Sequence, residues 1–335
     1  VETTLVISES SQVAQARRHV LAVCAASGFT EEIAGKAALV VTEAATNLVK
    51  YAGGGEMFIR AYAERGTDGV EIIALDNGPG ISDLPASLAD GHSTGGTLGL
   101  GMGAIARLSN QSEIYTIPGG GTALWARVAR GKSLFTARNP AHALVASGIA
   151  TPKPGQEACG DMWAEKRVDG ALWVAAIDGL GHGPQAAIAA AEAVRAFHAA
   201  GADATPQMLL QDAHVQLKGT RGVVMAVAAI RPALGLLEFA GIGNITAMLI
   251  GQDGTRRLSS MDGTLGYSVR MVRQHTYPWE RGSALVLSSD GISTRWNLLA
   301  HPGLISRHPS LIAAVLHRDF GRSNDDATVV VVKEA

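Results

Sequence analysis

The sequence predicts an α+β chain of two successive domains, and three observations carry that prediction. Its 335 residues are about twice the length of a usual single domain. The first part mixes helical segments with strands that form a mostly antiparallel sheet. The remainder strings many short apolar strands around two helical segments, the pattern of a second layered domain. The expected domains are residues 1–132 and 141–335, with a connector containing Arg138, Asn139 and Pro140 between them.

Residues 3–7 alternate as a strand does. Ser10 or Ser11 is placed to cap a helix carrying Val13, Ala16, Val20, Leu21 and Cys24 along one side and ending at Gly28. Thr30 is the expected cap of a second helix that runs to about Ala52, where Gly53-Gly54-Gly55 stops it. Strands at 57–63 and 70–75 are joined by a turn containing Gly66 and Gly69. A glycine-rich stretch leads into a short helix at 100–108. A hairpin, 112–117 and 122–129, turns at Pro118-Gly119-Gly120-Gly121. In the second half, strands are expected at 142–150 and 171–177, helices at 183–199 and 206–218, and strands at 222–230, 234–240, 245–250, 284–289 and 327–333.

Composition excludes several classes. The formal net charge of −2 gives no case for binding nucleic acid or an anionic membrane surface. The cluster from Arg17 to His19 reads as a solvated helix face. Two distant cysteines, Cys24 and Cys159, exclude a disulfide framework and a cysteine-rich zinc site, and fit a reducing, cytoplasmic setting. No apolar run approaches the length of a membrane span. Val1-Glu2-Thr3-Thr4 has neither the basic nor the apolar region of a secretion signal.

Three pieces in the first half carry chemistry together. Glu43 and Asn47 are four apart and share one helix face. A carboxylate there can polarise a nucleophile, and an amide oxygen can ligate Mg²⁺. Alone, they read as an exposed polar pair. Leu75-Asp76-Asn77-Gly78-Pro79-Gly80-Ile81 ends a strand with an acid and a glycine-rich turn, where a carboxylate can accept from an exocyclic amine and the backbone can approach a flat ring. Gly91-His92-Ser93-Thr94 through Gly99-Leu100-Gly101-Met102-Gly103 then enters the helix Ala104-Ile105-Ala106-Arg107-Leu108, a loop whose amides can cradle phosphates.

In this order the three pieces resemble the N, G1 and G2 boxes of the GHKL ATPase and kinase superfamily, over about residues 3–130. Asp90-Gly91-His92-Ser93-Thr94 with the following Gly-Leu-Gly is most similar to the RsbT branch of anti-sigma-type serine kinases. The resemblance implies a GHKL (Bergerat) α/β sandwich, with Glu43 as catalytic base, Asn47 as Mg²⁺ ligand and Asp76 as reader of adenine. Gly78, Gly80, Gly99, Gly101 and Gly103 would shape the ATP pocket. No phosphoacceptor-histidine segment stands before these boxes, so transfer to a Ser or Thr of a partner is expected rather than histidine-kinase chemistry.

The second half places acids at strand ends. Asp161 follows Ala158-Cys159-Gly160. Asp178 ends the strand Leu172 to Ile177 and precedes Gly179-Leu180-Gly181-His182-Gly183. Asp290 follows Ser289 and precedes Gly291. Asp325-Asp326 precede Ala327-Thr328 and a valine run. One Asp-Gly is usually only a turn. Several acids gathered at one end of a sheet sandwich repel each other, and hard divalent cations offset that repulsion. Two such ions can bind phosphate, activate a water and stabilise a leaving oxygen.

These motifs, with Pro154-Gly155-Gln156-Glu157 and Gly241-Ile242-Gly243-Asn244, resemble the PPM metal-dependent Ser/Thr phosphatases of the SpoIIE/RsbX branch, over about residues 142–334. The resemblance implies an α-β-β-α sandwich and two Mn²⁺ or Mg²⁺ ions bridged by Asp178. The Gly179 carbonyl, Asp290 and Asp325 would complete one site, and Asp161 would hold the other ion directly or through water. Asp325 is favoured over Asp326. His182 reads either as proton donor to the leaving hydroxyl or as a solvent-facing turn residue, and Asn244 as a support near the site. No basic residue is assigned to grip the phosphate, which leaves that task to the metals. Cys159 lacks a following basic phosphate loop and reads as a small buried residue.

The expectation is a bifunctional partner-switching regulator. Its first domain would phosphorylate a STAS-type antagonist with Mg-ATP, and its second would remove phosphate from Ser or Thr of such a protein. The alternative is a phosphatase whose GHKL domain senses nucleotide or binds a partner without transferring phosphate. A purely non-catalytic anti-sigma binding module is the third class, and the retained acids Asp161, Asp178, Asp290 and Asp325 speak against it.

Overall fold

A computed structural model describes residues 3–64, 66–88, 101–130 and 143–334. The chain divides into two compact units, Val1–Arg138 and Asn139–Ala335.

The first unit runs β1 (Thr3–Ile7), α1 (Ser10–Ala26), α2 (Glu31–Asn47), β2 (Gly55–Glu64), β3 (Thr67–Leu75), α3 (Leu84–Leu88), α4 (Gly101–Leu108), β4 (Gln111–Thr116) and β5 (Thr122–Ala129). Its sheet has the order β1-β2-β3-β5-β4, antiparallel throughout. Alternation puts Met57, Ile59, Val70, Ile72, Leu124 and Ala126 on one face, where they pack with Val20, Val41 and Ala45 of α1 and α2 and with Ile105 of α4. The other face carries a buried polar group. Glu71, 1% exposed, accepts from Arg60 Nε (2.7 Å), Trp125 Nε1 (2.8 Å) and Arg127 Nε (3.0 Å).

Local details differ from the sequence expectation at α1 and α2. Glu9, rather than Ser10 or Ser11, caps α1, because Gln12 reaches back to the Glu9 backbone N–H in a capping box. Thr30 caps α2 as expected, accepting from Ile33 N. The α-helix ends at Asn47, and one wider π-helical turn, Leu48–Ala52, carries the chain to Gly53. Gly69 lies inside β3, paired with Tyr62 and Ala129, rather than in the turn.

The second unit runs β6 (Leu144–Thr151), β7 (Asp161–Val168), β8 (Ala171–Gly179), α5 (Pro184–Ala199), α6 (Pro206–Gln216), β9 (Val223–Arg231), β10 (Leu236–Ile242), β11 (Thr246–Gly251), β12 (Gly254–Arg257), β13 (Gly263–Thr264), β14 (Ser268–Val269), β15 (Gln274–Pro278), β16 (Ala284–Ser288), α7 (Pro309–Phe320) and β17 (Ala327–Glu334). Two five-stranded sheets, β15-β10-β9-β8-β7 and β12-β11-β16-β17-β6, face each other. Leu172, Val174 and Ala176 of β8 meet Leu285, Leu287, Val330 and Val332 between them. Helices α5 and α6 cover the outer face of the first sheet, and α7 packs on β6 and β17 of the second. This is a four-layer α-β-β-α sandwich with three long helices, one more than the sequence pattern had given.

Candidate active sites

In the first unit, the chemistry collects at the end of α2. Glu43 and Asn47 are both half-buried, one turn apart. The first turn of α4 lies over them. A side-chain carbon on Gly101 would stand 3.7 Å from Asn47 Oδ1 and 3.8 Å from Glu43 Oε2, so the start of α4 lies within contact distance of the polar pair. Asn47 Nδ2 also donates to Met102 Sδ at 3.6 Å. Gly103, two residues after Gly101, is buried.

Asp76 lies just beyond β3. Its Oδ1 accepts from the backbone N–H of Gly78 (2.8 Å) and of Thr122 (3.1 Å), which fixes the carboxylate's orientation. The turn it opens is tied to the β4–β5 hairpin: Thr116 Oγ1 accepts from Ile81 N (2.8 Å), and Gly119 N donates to Pro79 O (2.7 Å). Gly80 has φ +69°, and a Cβ there would sit 2.2 Å from Ile117 O, so only glycine fits. Gly78 rests on Ala52, in the π-helical turn that follows Asn47. The Glu43/Asn47 pair and the Asp76 turn thus both adjoin the end of α2 and the π-helical turn after it. Gly99 and the Asp90–Thr94 segment lie outside the described residues.

In the second unit, the register of two strands brings the first acids together. Asp161, the first residue of β7, pairs directly with Asp178 near the end of β8, and Gly179 N donates to Gly160 O at 3.0 Å. From the facing sheet come Asp290, just after β16, and Asp325, just before β17. Asp178, Asp290, Asp325, His182, Asn244 and Lys153 line one pocket of about 490 Å³. Asn244 Nδ2 donates to Asp290 Oδ2 at 2.8 Å, holding that carboxylate at the rim. Gly291 lets the Asp290 turn lie against the Asp325-Asp326 strand start, since a Cβ there would overlap Asp326 O.

The electrostatics are those of crowded, partly desolvated acids. Burial, reinforced by the charges of Asp161 and Asp290, pushes the Asp178 carboxyl up to about 9. Burial likewise pushes Asp161 up to about 7, against a Ser289 hydrogen bond that lowers it. Asp161 Oδ2 is buried and has no hydrogen-bond partner. Among the described residues no three His, Cys, Asp or Glu side chains close on a common point as a metal cage does. The acids stand around the pocket instead.

Asp325 and Asp326 have different surroundings. Asp326, 2% exposed, accepts from Lys153 N (2.7 Å) through Oδ1 and from Gly160 N (2.9 Å) through Oδ2. Asp325 lines the pocket. His182 is exposed at the pocket wall. Lys153, Asp262 and Asn324 also line the pocket and had no sequence signal. Lys153 sits in a polar loop, and Asp262 precedes Gly263 in what reads as an ordinary turn.

Comparison with known proteins agrees with this division. Residues 6–128 match the histidine kinase-like ATPase domain, and residues 168–334 match the stage II sporulation protein E (SpoIIE) domain. The serine/threonine-protein kinase RsbT of Bacillus subtilis (strain 168) is 41% identical over 86 residues, 26% of this chain, and the match spans 65% of the length of that curated relative. A solved structure from work on the bacterial stressosome, as a modular system adapted to control secondary messenger signalling, is 29% identical with a TM-score of 0.53, covering 57% of this chain and 100% of its own. RsbX in complex with magnesium, 20% identical with a TM-score of 0.50 over 57% of this chain and 96% of its own, shares the fold.

Proposed function

We propose that this chain, which joins an RsbT-like histidine kinase-like ATPase domain to a SpoIIE-type PPM phosphatase domain, is a partner-switching regulator with opposed activities. The first domain transfers phosphate from Mg-ATP to a Ser or Thr of a STAS-type protein, and the second removes it. The observation that carries the reading is the pairing of Asp161 with Asp178 across β7 and β8, together with the placement of Asp178, Asp290 and Asp325 around one pocket.

In the second domain the residues fit a pair of hard divalent cations. Buried carboxylates with raised proton affinity and an unpartnered Asp161 oxygen are groups that a cation would satisfy. Asp178, the Gly179 carbonyl, Asp290 and Asp325 would hold one ion, and Asp161 with Asp178 the other. Bound ions supply positive charge to the phosphate and lower the pKa of water. Asn244 orients Asp290, Asp326 fastens the loop that brings Lys153 and Gly160 to the site, and His182, exposed at the pocket wall, would hand a proton to the leaving hydroxyl.

In the first domain, the phosphate tail of ATP would lie by Gly101, beside Glu43 and Asn47. Glu43 would take the proton of the acceptor hydroxyl, and Asn47 would hold Mg²⁺. Asp76, steadied by two backbone N–H groups, would accept from the adenine amine. The likeness to RsbT and to the stressosome structure supports a STAS-domain partner.

The direct test is hydrolysis of a small aryl phosphate with and without Mn²⁺. Hydrolysis that needs the ion and disappears in Asp178→Asn supports the phosphatase; turnover that survives the substitution rejects this site.

A further inference from the structure

Four acids, Asp178, Asp262, Asp290 and Asp325, line the pocket, and Lys153 is the one Lys or Arg among its lining residues. A second cation stands beside the same site. Arg221 precedes β9, and its Nη1 lies 3.2 Å from where a side-chain carbon of Gly181 would be. Gly181 belongs to the turn Gly179–Gly183 that follows Asp178, and it lines the pocket. Any side chain at Gly181, itself at φ +88°, would displace the guanidinium.

The base of Arg221 is rigid. Thr220 N and Oγ1 both bond to Leu217 O (3.0 and 2.7 Å), and Gly222 N donates to Thr220 Oγ1 (3.0 Å). Gly222 O accepts from Leu180 N at 3.0 Å, which ties the Arg221 loop to the turn that carries Asp178. The backbone of Arg221 is therefore held beside the site. It is exposed, and among the described residues it makes no hydrogen bond or ion pair, although acids line the adjoining pocket. A planar, permanently charged fork held on a rigid loop without a carboxylate partner suits an incoming tetrahedral anion.

We propose that Arg221, reaching over Gly181 at the edge of the pocket, binds a phosphoryl oxygen of the phosphoserine or phosphothreonine substrate. The assignment rests on the phosphatase reading of this site. It gives the phosphate a protein cation in addition to any metal, which the sequence pattern did not supply.

The experiment uses the full chain with Mn²⁺ and compares wild type, Arg221→Ala and Arg221→Lys. Inorganic phosphate binding is measured by calorimetry, and KM and kcat are measured on a small aryl phosphate. A lost charge-assisted contact predicts an increase of about tenfold in both the phosphate Kd and KM for Arg221→Ala. The change in kcat should stay within about twofold, with partial recovery in Arg221→Lys and an unchanged melting temperature. An unchanged phosphate Kd in Arg221→Ala overturns the assignment. A wild type that binds phosphate yet hydrolyses no phosphoester overturns the phosphatase reading instead, and the binding comparison then still decides the role of Arg221.

Discussion

Asp325 and Asp326 are adjacent, and their surroundings give them different work. Both oxygens of Asp326 hold backbone N–H groups in a buried setting. Asp326→Ala leaves those donors unpaired and should cost about 2–3 kcal/mol of stability. Asp325→Asn should keep stability within about 0.5 kcal/mol while abolishing metal-dependent hydrolysis. Chemical unfolding and aryl phosphate turnover of the two variants, side by side, check the pair. Asp178 gives a pH signature. Its folded carboxyl titrates near 9, far above the ~3.9 of an unfolded aspartate. The folded state therefore keeps a proton that the unfolded state gives up. The resulting stability is full below about pH 4 and is lost as pH rises toward the folded value. In chelator, Asp178→Asn should be more stable than wild type by on the order of 1 kcal/mol, with a gap that opens above about pH 4 and widens toward about pH 9. Mn²⁺ should reverse the order by stabilising only the wild type. A gap that does not change with pH contradicts the burial of this carboxyl.

At the scale of elements, most of the first unit could be read from periodicity and turn residues. Thr30 and the glycines after Ala52 mark α2 and its end, and the hairpin β4–β5 follows its Pro-Gly-Gly-Gly turn. Helix α7 was missed for a physical reason. Pro309 through Leu316 are all buried, so the segment has no polar face and no 3.6-residue alternation to betray a helix. Its start is nevertheless marked: Pro309 occupies the first helical position and His308 caps Ser310 N. Strand β7 was hidden by Glu165-Lys166-Arg167, charges that an edge strand carries without penalty. Lys166 in fact folds back to the carbonyls of Phe197 and Ala200 at the end of α5. The acids of the second site were legible because each ends a strand, whereas Lys153 and Arg221 sit in polar loops that only the tertiary fold brings to the pocket. Sequence could not foresee the buried Glu71 group either, because it links β2, β3 and β5. Removing that carboxylate in Glu71→Ala takes the partner from Arg127, 5% exposed, and should cost about 3–5 kcal/mol. Hydrogen exchange at the β3 and β5 amides would show the loss as faster exchange confined to this sheet, and unchanged protection would refute it.

At the scale of the whole molecule, the proposed reading puts two sites of opposite sense in one chain. Among the described residues no helix is long and apolar enough to cross a membrane. On that reading, opposed activities in one polypeptide would set the phosphorylation state of a shared partner by their ratio, and whatever biases either site would switch the partner. The measurement that tests this most directly follows a STAS-domain protein by intact mass with the full chain, first in Mg-ATP and then after adding Mn²⁺. Glu43→Gln and Asp178→Asn are run alongside. The account predicts phosphate gained only when Glu43 is intact and lost only when Asp178 is intact. A partner that is dephosphorylated when supplied in its phosphorylated form, yet never gains phosphate from ATP, would contradict it and leave a phosphatase with a nucleotide-sensing domain.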